Sequence, residues 1–239
     1  CPTAGPSLKR GRFALKIANP APKKTPRITG EHVSALYRGC GIAREPVGEH
    51  VPVPFAYRCA LVAFWSTGLR VGDCLGIRWG DLELGPECPV PEWPADHEAG
   101  WLDVVAQKTG KRHVQPLPQI FREHIDRLAE LIPERKRPGS APVIPLGDPS
   151  PRSGDHKRRC NTWRSVNVEA GFEPERFPLG DLRKGAAQAW NRANFPAGEW
   201  LLDHSAGNKL TATHYDVGIS HLLDAVCRLE VPEALLAVE

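Results

Sequence analysis

Methionine is absent from all 239 residues, and the chain opens on Cys1. A piece of a longer protein is therefore expected. No apolar run approaches the roughly 18 residues that a spanning helix needs, so no membrane segment is expected. The first twenty residues lack the uninterrupted apolar core of a signal peptide. The seven cysteines stand at 1, 40, 59, 74, 88, 160 and 227, with no Cys-x-x-Cys pair and an odd total. That scatter excludes a disulfide framework or a zinc ribbon and points to a reducing cytoplasm. The nine histidines form no His-x-x-x-His pair suited to a metal. Acidic residues are missing from the first thirty positions, which carry seven Lys or Arg; the remainder holds 24 basic and 28 acidic residues. Such a leader is either a solvated tail or a linker lying along phosphates, where counterion release would favour it.

What remains is an ordinary globular balance, 41% apolar and 25% charged. "PRITGEHVSALYRGC" predicts a helix capped by Thr29, and "PFAYRCALVAFWS" a largely buried one ended by Thr67-Gly68. "LRVGDCLGIRW" predicts a short helix with Arg70 and Asp73 three apart, close enough to pair. "WLDVVAQ" and "RHVQPLP", joined through "KTGK", predict a hairpin turning at Gly110. "QIFREHIDRLAELI" is amphipathic, residues 133 to 156 read as an exposed loop, and "HKRRCNTWRSVNVEAG" reads as a basic helix ended by Gly171. Helices follow in "DLRKGAAQAWNRA", "PAGEWLLDHS", "LTATHYDV" and "ISHLLDAVCRLE", the last with an apolar stripe of Leu222, Leu223, Val226 and Leu229. The fold class expected is mainly α with a small antiparallel β-sheet (α+β).

One stretch breaks the pattern. In "TGLRVGDCLGIRWGDLEL", residues 67 to 84, an arginine arrives just as the chain leaves its most hydrophobic helix. A guanidinium there is costly unless a carboxylate or another anion meets it. Asp73 could be that partner; a phosphate could be another. Two arginines such as Arg70 and Arg183 can fork onto the non-bridging oxygens of one phosphate and neutralise a pentacoordinate transition state. A lysine on a hairpin turn, Lys108, could donate a proton, with Lys111 its nearest substitute. His204 could add a hydrogen bond or a proton, or merely cap its helix. Tyr215 is one of three tyrosines, and its phenolate could form a covalent ester. Arg78 and Trp79 read as structural, packing the helix end onto the hairpin.

These residue types, in this chain order, resemble the catalytic domain of the tyrosine recombinase (phage integrase) family over roughly residues 28 to 230. "TGLRVGDCLGIRWGDLEL" resembles the family's first arginine box, "QKTGKRHVQPLP" its hairpin lysine, "LGDLRKGAAQAW" its second arginine box, and "LLDHSAGNKLTATHYDV" its histidine box and nucleophile. The resemblance implies a site-specific recombinase that cleaves and rejoins double-stranded DNA through a 3′-phosphotyrosyl intermediate. Tyr215 would attack, Arg70 and Arg183 would hold the phosphate, Lys108 and His204 would assist, and Asp73 would orient Arg70. Further DNA contacts are expected from Lys111, Lys157, Arg158, Arg159 and Lys184. Residues 1 to 27 would be a basic linker and 28 to 239 the catalytic domain, without the family's N-terminal DNA-clamping domain. No metal or nucleotide cofactor is implied, and the C-terminal helix would join neighbours in a tetramer on DNA in the cytoplasm. The sequence departs from the family at three places. Gly180 stands where a histidine usually precedes the second arginine, Asp203 replaces a glycine, and Tyr215 follows His204 by eleven residues. Three alternatives stay open: an impaired DNA-binding relative, a type IB topoisomerase, and an unrelated helical interaction module.

Overall fold

The computed structural model describes residues 27–46, 49–93, 95–202 and 219–238. Eight helices and three short strands run through them in the order α1 (Gly30–Gly39), α2 (Val53–Thr67), α3 (Val71–Leu75), β1 (Leu82–Glu83), β2 (Trp101–Val105), β3 (Arg112–Pro116), α4 (Gln119–Leu131), α5 (Gly154–Glu169), α6 (Leu179–Ala193), α7 (Ala197–Leu201) and α8 (Ile219–Arg228). The strands form one antiparallel sheet in the order β1-β2-β3. None of the described helices is long and apolar enough to cross a membrane.

Thr29 caps α1 as its sequence promised, accepting from the His32 N–H and so satisfying an orphan donor of the first turn. The pivot of the fold is α2, whose residues Cys59 to Trp65 are all buried. It packs against α4 on one side and α6 on another, so its apolar residues run all the way round rather than along a stripe. Burial of that helix is the main hydrophobic contribution, at about 25 cal/mol for each Å² removed from water.

Its ending is built from two residues. The Thr67 hydroxyl donates back to the Ala63 carbonyl (2.7 Å), and Gly68 takes a left-handed conformation at φ 59°. A side chain at Gly68 would also meet Leu201 Cβ at 3.2 Å, so the position suits glycine on both counts. The chain then turns through Leu69 and Arg70 into α3.

The hairpin has the expected register, Val104 opposite His113 and Val105 opposite Arg112, and Gly110 sits at φ 66° in its turn. No alternation of residue types announces β1, a two-residue strand paired to β2 through Leu82 and Leu102. The stretch 133–156 is not simply an exposed loop. Val143, Ile144 and Leu146 are buried, and the Val143 N–H donates to the Ile77 carbonyl (2.8 Å). Three apolar residues among prolines and glycines lack any period, so only the packing exposes their role. The turn that begins at Trp79 touches strand β2 of the hairpin, as expected, and packs on this stretch as well: the Trp79 backbone N–H donates to the Ala141 carbonyl and its ring lies under the Arg137 guanidinium.

The C-terminal helix α8 packs on α6, α7 and β3 of its own chain. Leu222, Val226 and Leu229 are buried there, and Leu223 is half-buried. The stripe expected to join a neighbouring subunit is therefore part of this domain's own core. Beyond it the chain returns to α1, where the Ala234 N–H donates to Ser34 Oγ and the Tyr37 hydroxyl to the Ala237 carbonyl.

Candidate functional site

Four loops and helices meet beside the end of α2. Arg70 immediately precedes α3, Arg183 rises from the second turn of α6, and Lys111, Arg112 and His113 come from the hairpin. Together with Leu69, Asp73, Ala106 and Leu201 they line one narrow cavity of about 30 Å³. That is about the volume one water occupies in the liquid. A cavity of this size has room for the oxygens of an anion.

Arg70 is half-buried, and its guanidinium has no ion pair or hydrogen bond among the described residues. The pairing with Asp73 expected from their spacing does not form. The i,i+3 rule holds for two residues on one helix. Arg70 lies outside α3, in an extended conformation (φ −64°, ψ 154°), so its side chain leaves the helix face that Asp73 occupies. Asp73 is buried and does something else: its Oδ1 accepts the Gln107 backbone N–H at 2.8 Å. It ties the hairpin turn to α3 and so holds the lysine-bearing turn at the arginines.

Arg183 is half-buried and donates Nη2 to the Leu202 carbonyl, just past α7. A glycine makes that approach possible. Gly198 packs against α6, with its N–H on Asn191 Oδ1 at 2.8 Å, where a side chain would strike the Ala187 carbonyl. Arg112 is committed elsewhere, forked onto Asp103 at 2.9 and 2.7 Å, a contact that holds it the more firmly protonated. Arg70, Arg183 and Lys111 line the same cavity as cations. Its walls, Leu69, Ala106 and Leu201, are apolar, which strengthens any charge–charge contact inside.

The remaining sequence candidates fall in four places. Lys108 is exposed on the hairpin turn and does not line the cavity, whereas Lys111 does. Lys157 and Arg158 are exposed on α5, Arg158 paired to Asp155 at 3.0 Å. Arg159 is 2% exposed and donates to the carbonyls of Leu146 and Asp148, so it buttresses the 143–148 stretch instead of offering a phosphate-contacting face. Lys184 is exposed and paired to Asp181 at 3.2 Å. His204, Tyr215 and Asp203 lie outside the described residues.

His113 escaped the sequence reading. Its spacing carried no signal: three consecutive residues of the hairpin, Lys111, Arg112 and His113, line the cavity, so no alternation of faces singles it out.

Gly180 opens onto a separate, larger cleft of about 830 Å³, lined also by Val71, His156, Trp163 and Arg164. A Cβ placed there would meet nothing closer than Val71 Cγ2 at 3.9 Å, so the position has room for a side chain. The larger cleft sets Arg159, Arg164 and Arg176 against Glu173, Glu175 and Asp181, whereas the smaller sets Arg70, Lys111, Arg112 and Arg183 against Asp73 alone; that balance of charge identifies the smaller. Among the described residues no group of three or more His, Cys, Asp or Glu is placed to hold a metal ion.

No family model matches the sequence. No curated protein matches it either. Among solved structures, the chain is similar to that of a lambda integrase dimer bound to a COC′ core site, at 18% identity and a TM-score of 0.49. The similarity covers 80% of this chain and 60% of that one. At that identity and TM-score the likeness does not bear on what this chain does.

Proposed function

We propose that the chain binds DNA at this cavity and cleaves and rejoins its strands by transesterification, with Tyr215 as nucleophile. One observation carries the reading. Arg70 and Arg183, from opposite halves of the sequence, line the same narrow cavity with Lys111, and Arg70 has no acidic partner among the described residues. A half-buried guanidinium with no carboxylate of its own gains most from an entering anion. A phosphodiester supplies two non-bridging oxygens that small cavity can take, and forked donors gain most when charge builds on those oxygens in the transition state.

In the reaction the Tyr215 phenol oxygen attacks phosphorus, the bond to the 5′-oxygen breaks, and a 3′-phosphotyrosyl ester conserves the bond for rejoining. Lys111, or Lys108 if the turn shifts, adds charge at the phosphate; His204 contributes a hydrogen bond. Asp73 acts through the hairpin, not on Arg70. Assembly on DNA would use faces other than the Leu222–Leu229 stripe.

Incubation with a pool of nicked duplexes of random sequence, followed by a denaturing gel, tests this. The parent should yield a DNA-linked band and Tyr215→Phe none, with DNA affinity unchanged. A band that survives in Tyr215→Phe refutes the nucleophile. Gly180 favours a second reading, a DNA-binding relative without cleavage. Under it neither protein gives a band, while both bind DNA with an affinity that falls steeply as salt rises.

A further inference from the structure

The larger cleft, of about 830 Å³, lies within the range of roughly 300–1,000 Å³ that small-molecule sites occupy. Its walls are set in advance. The Trp163 indole N–H donates to the Phe177 carbonyl at 2.6 Å, and the Phe177 N–H to Asn167 Oδ1 at 3.1 Å, so the chain before α6 is tied to α5. With that N–H engaged, Trp163 leaves only apolar ring to the cleft, beside Val71, Pro178 and Leu179. Arginines and acids are equal in number there, but they are not paired one to one. Arg164 joins Glu175 at 2.8 Å, and Asp181 is taken by Lys184 at 3.2 Å. Arg159 is 2% exposed, and its Nη1 is held by the Leu146 and Asp148 carbonyls; no carboxylate among the described residues bonds its guanidinium. Asp155 senses that charge but is bonded to Arg158 and to the Asp148 N–H. Arg176 lies over the Phe177 ring, with no ion pair among the described residues. Only Glu173, exposed on the rim, remains as an acid without a partner there. The first turn of α6 lines the cleft too, and no side chain caps its N–H groups.

We propose that this cleft binds a small organic anion, its apolar body against Trp163 and Leu179 and its acidic group held by Arg159 and the first turn of α6. A buried guanidinium without a carboxylate gains most from an anion that enters desolvated, through forked, charge-assisted hydrogen bonds. The uncapped helix start adds donors and a favourable dipole for the same group. The site stands apart from the cavity of Arg70 and Arg183 and does not depend on strand cleavage. Val71 follows Arg70 in sequence and Gly180 stands three residues before Arg183, so the occupant rests against both arginine-bearing elements.

The test is fluorescence titration of the folded chain with 1-anilinonaphthalene-8-sulfonate, an aromatic sulfonate, and with N-phenyl-1-naphthylamine, its uncharged counterpart. The sulfonate should bind at a single site, about tenfold or more tighter than the neutral dye, as charge-assisted hydrogen bonds imply. Bound dye should slow alkylation of Cys160, which lines the cleft, and leave the exposed Cys227 unaffected in peptide mass spectra. Gly180→Trp puts a ring where a Cβ meets nothing nearer than 3.9 Å, so it should weaken both dyes by about tenfold or more at unchanged Tm. Arg159→Gln should weaken the sulfonate and spare the neutral dye. That variant also loses the contacts to Leu146 and Asp148, so Arg176→Gln, on the exposed rim, repeats the comparison without touching the core, with an expected loss of about threefold for the sulfonate alone. Equal affinity for the two dyes, no binding by the parent, or binding that survives Gly180→Trp overturns the proposal. So does release of the dye by duplex DNA at low salt, which would make the cleft part of a DNA-binding face instead.

Discussion

Replacing Arg70 by methionine separates a structural arginine from a ligand-binding one. Methionine keeps most of the apolar stem and removes only the charge. Were Arg70 the partner of buried Asp73, its loss would strand a carboxylate at a cost of about 3–5 kcal/mol. For a chain of this size each kcal/mol moves Tm by about 2–4 °C, so the structural role predicts a fall of about 6–20 °C. The structure predicts otherwise. Asp73 is already satisfied by the Gln107 N–H, and Arg70 has like-charged neighbours in the cavity. The change should stay within about 0.5 kcal/mol, as for substitutions that break no network. Calorimetric or circular-dichroism melting at low salt reads this directly. The same variant should cleave nicked DNA about 10²–10³ times more slowly, as on removal of one oxyanion donor. A Tm drop beyond about 6 °C would refute the unpaired-guanidinium argument, whatever the kinetics.

Three further outcomes are expected. Leu222→Ala should destabilise the isolated protein by about 2–5 kcal/mol in urea titration, because the side chain is fully buried in the chain's own core; unchanged stability would return the stripe to a neighbouring subunit. Burial holds His124 below its ordinary 6.5, with Nδ1 donating to the Ile120 carbonyl. The unfolded chain takes the proton first, so stability is full above about 6.5 and falls as pH drops toward the folded value, and His124→Gln should flatten that slope in acid titrations followed by circular dichroism. Gly180→His, entering open space beside Val71 in the separate larger cleft, should fold normally and leave the single-turnover rate unchanged; a raised rate would mean that the scissile phosphate also reaches that cleft.

Periodicity and turn chemistry are local properties, and they were readable. The Thr29 cap, the all-round apolar α2, the Thr67-Gly68 break, the Gly110 hairpin and the helical face of Leu182, Ala186, Ala189 and Trp190 follow from residue types at fixed spacing. Arg70 stood out as well, because a charge placed just after the most buried helix demands a partner; that Arg183 shares its cavity is seen only in the structure. Partnership itself was not legible. Asp73 stands three residues from Arg70, yet the extended backbone at Arg70 turns the two apart and the carboxylate goes to a backbone N–H of the hairpin. Arg159 reads as part of a basic surface run, yet it sits inward because the carbonyls of Leu146 and Asp148 converge there. Lys111, and not Lys108, lines the cavity with the arginines, together with Arg112 and His113 that follow it; which part of the hairpin stands there depends on how the hairpin is seated against α3, through Asp73 and the Gln107 N–H, and not on its own sequence. The amphipathic stripe of α8 was visible in the sequence, but amphipathicity states only that a face will be covered. Whether the cover is a second subunit or α6 of the same chain depends on where the chain returns, and the tertiary structure alone decided that.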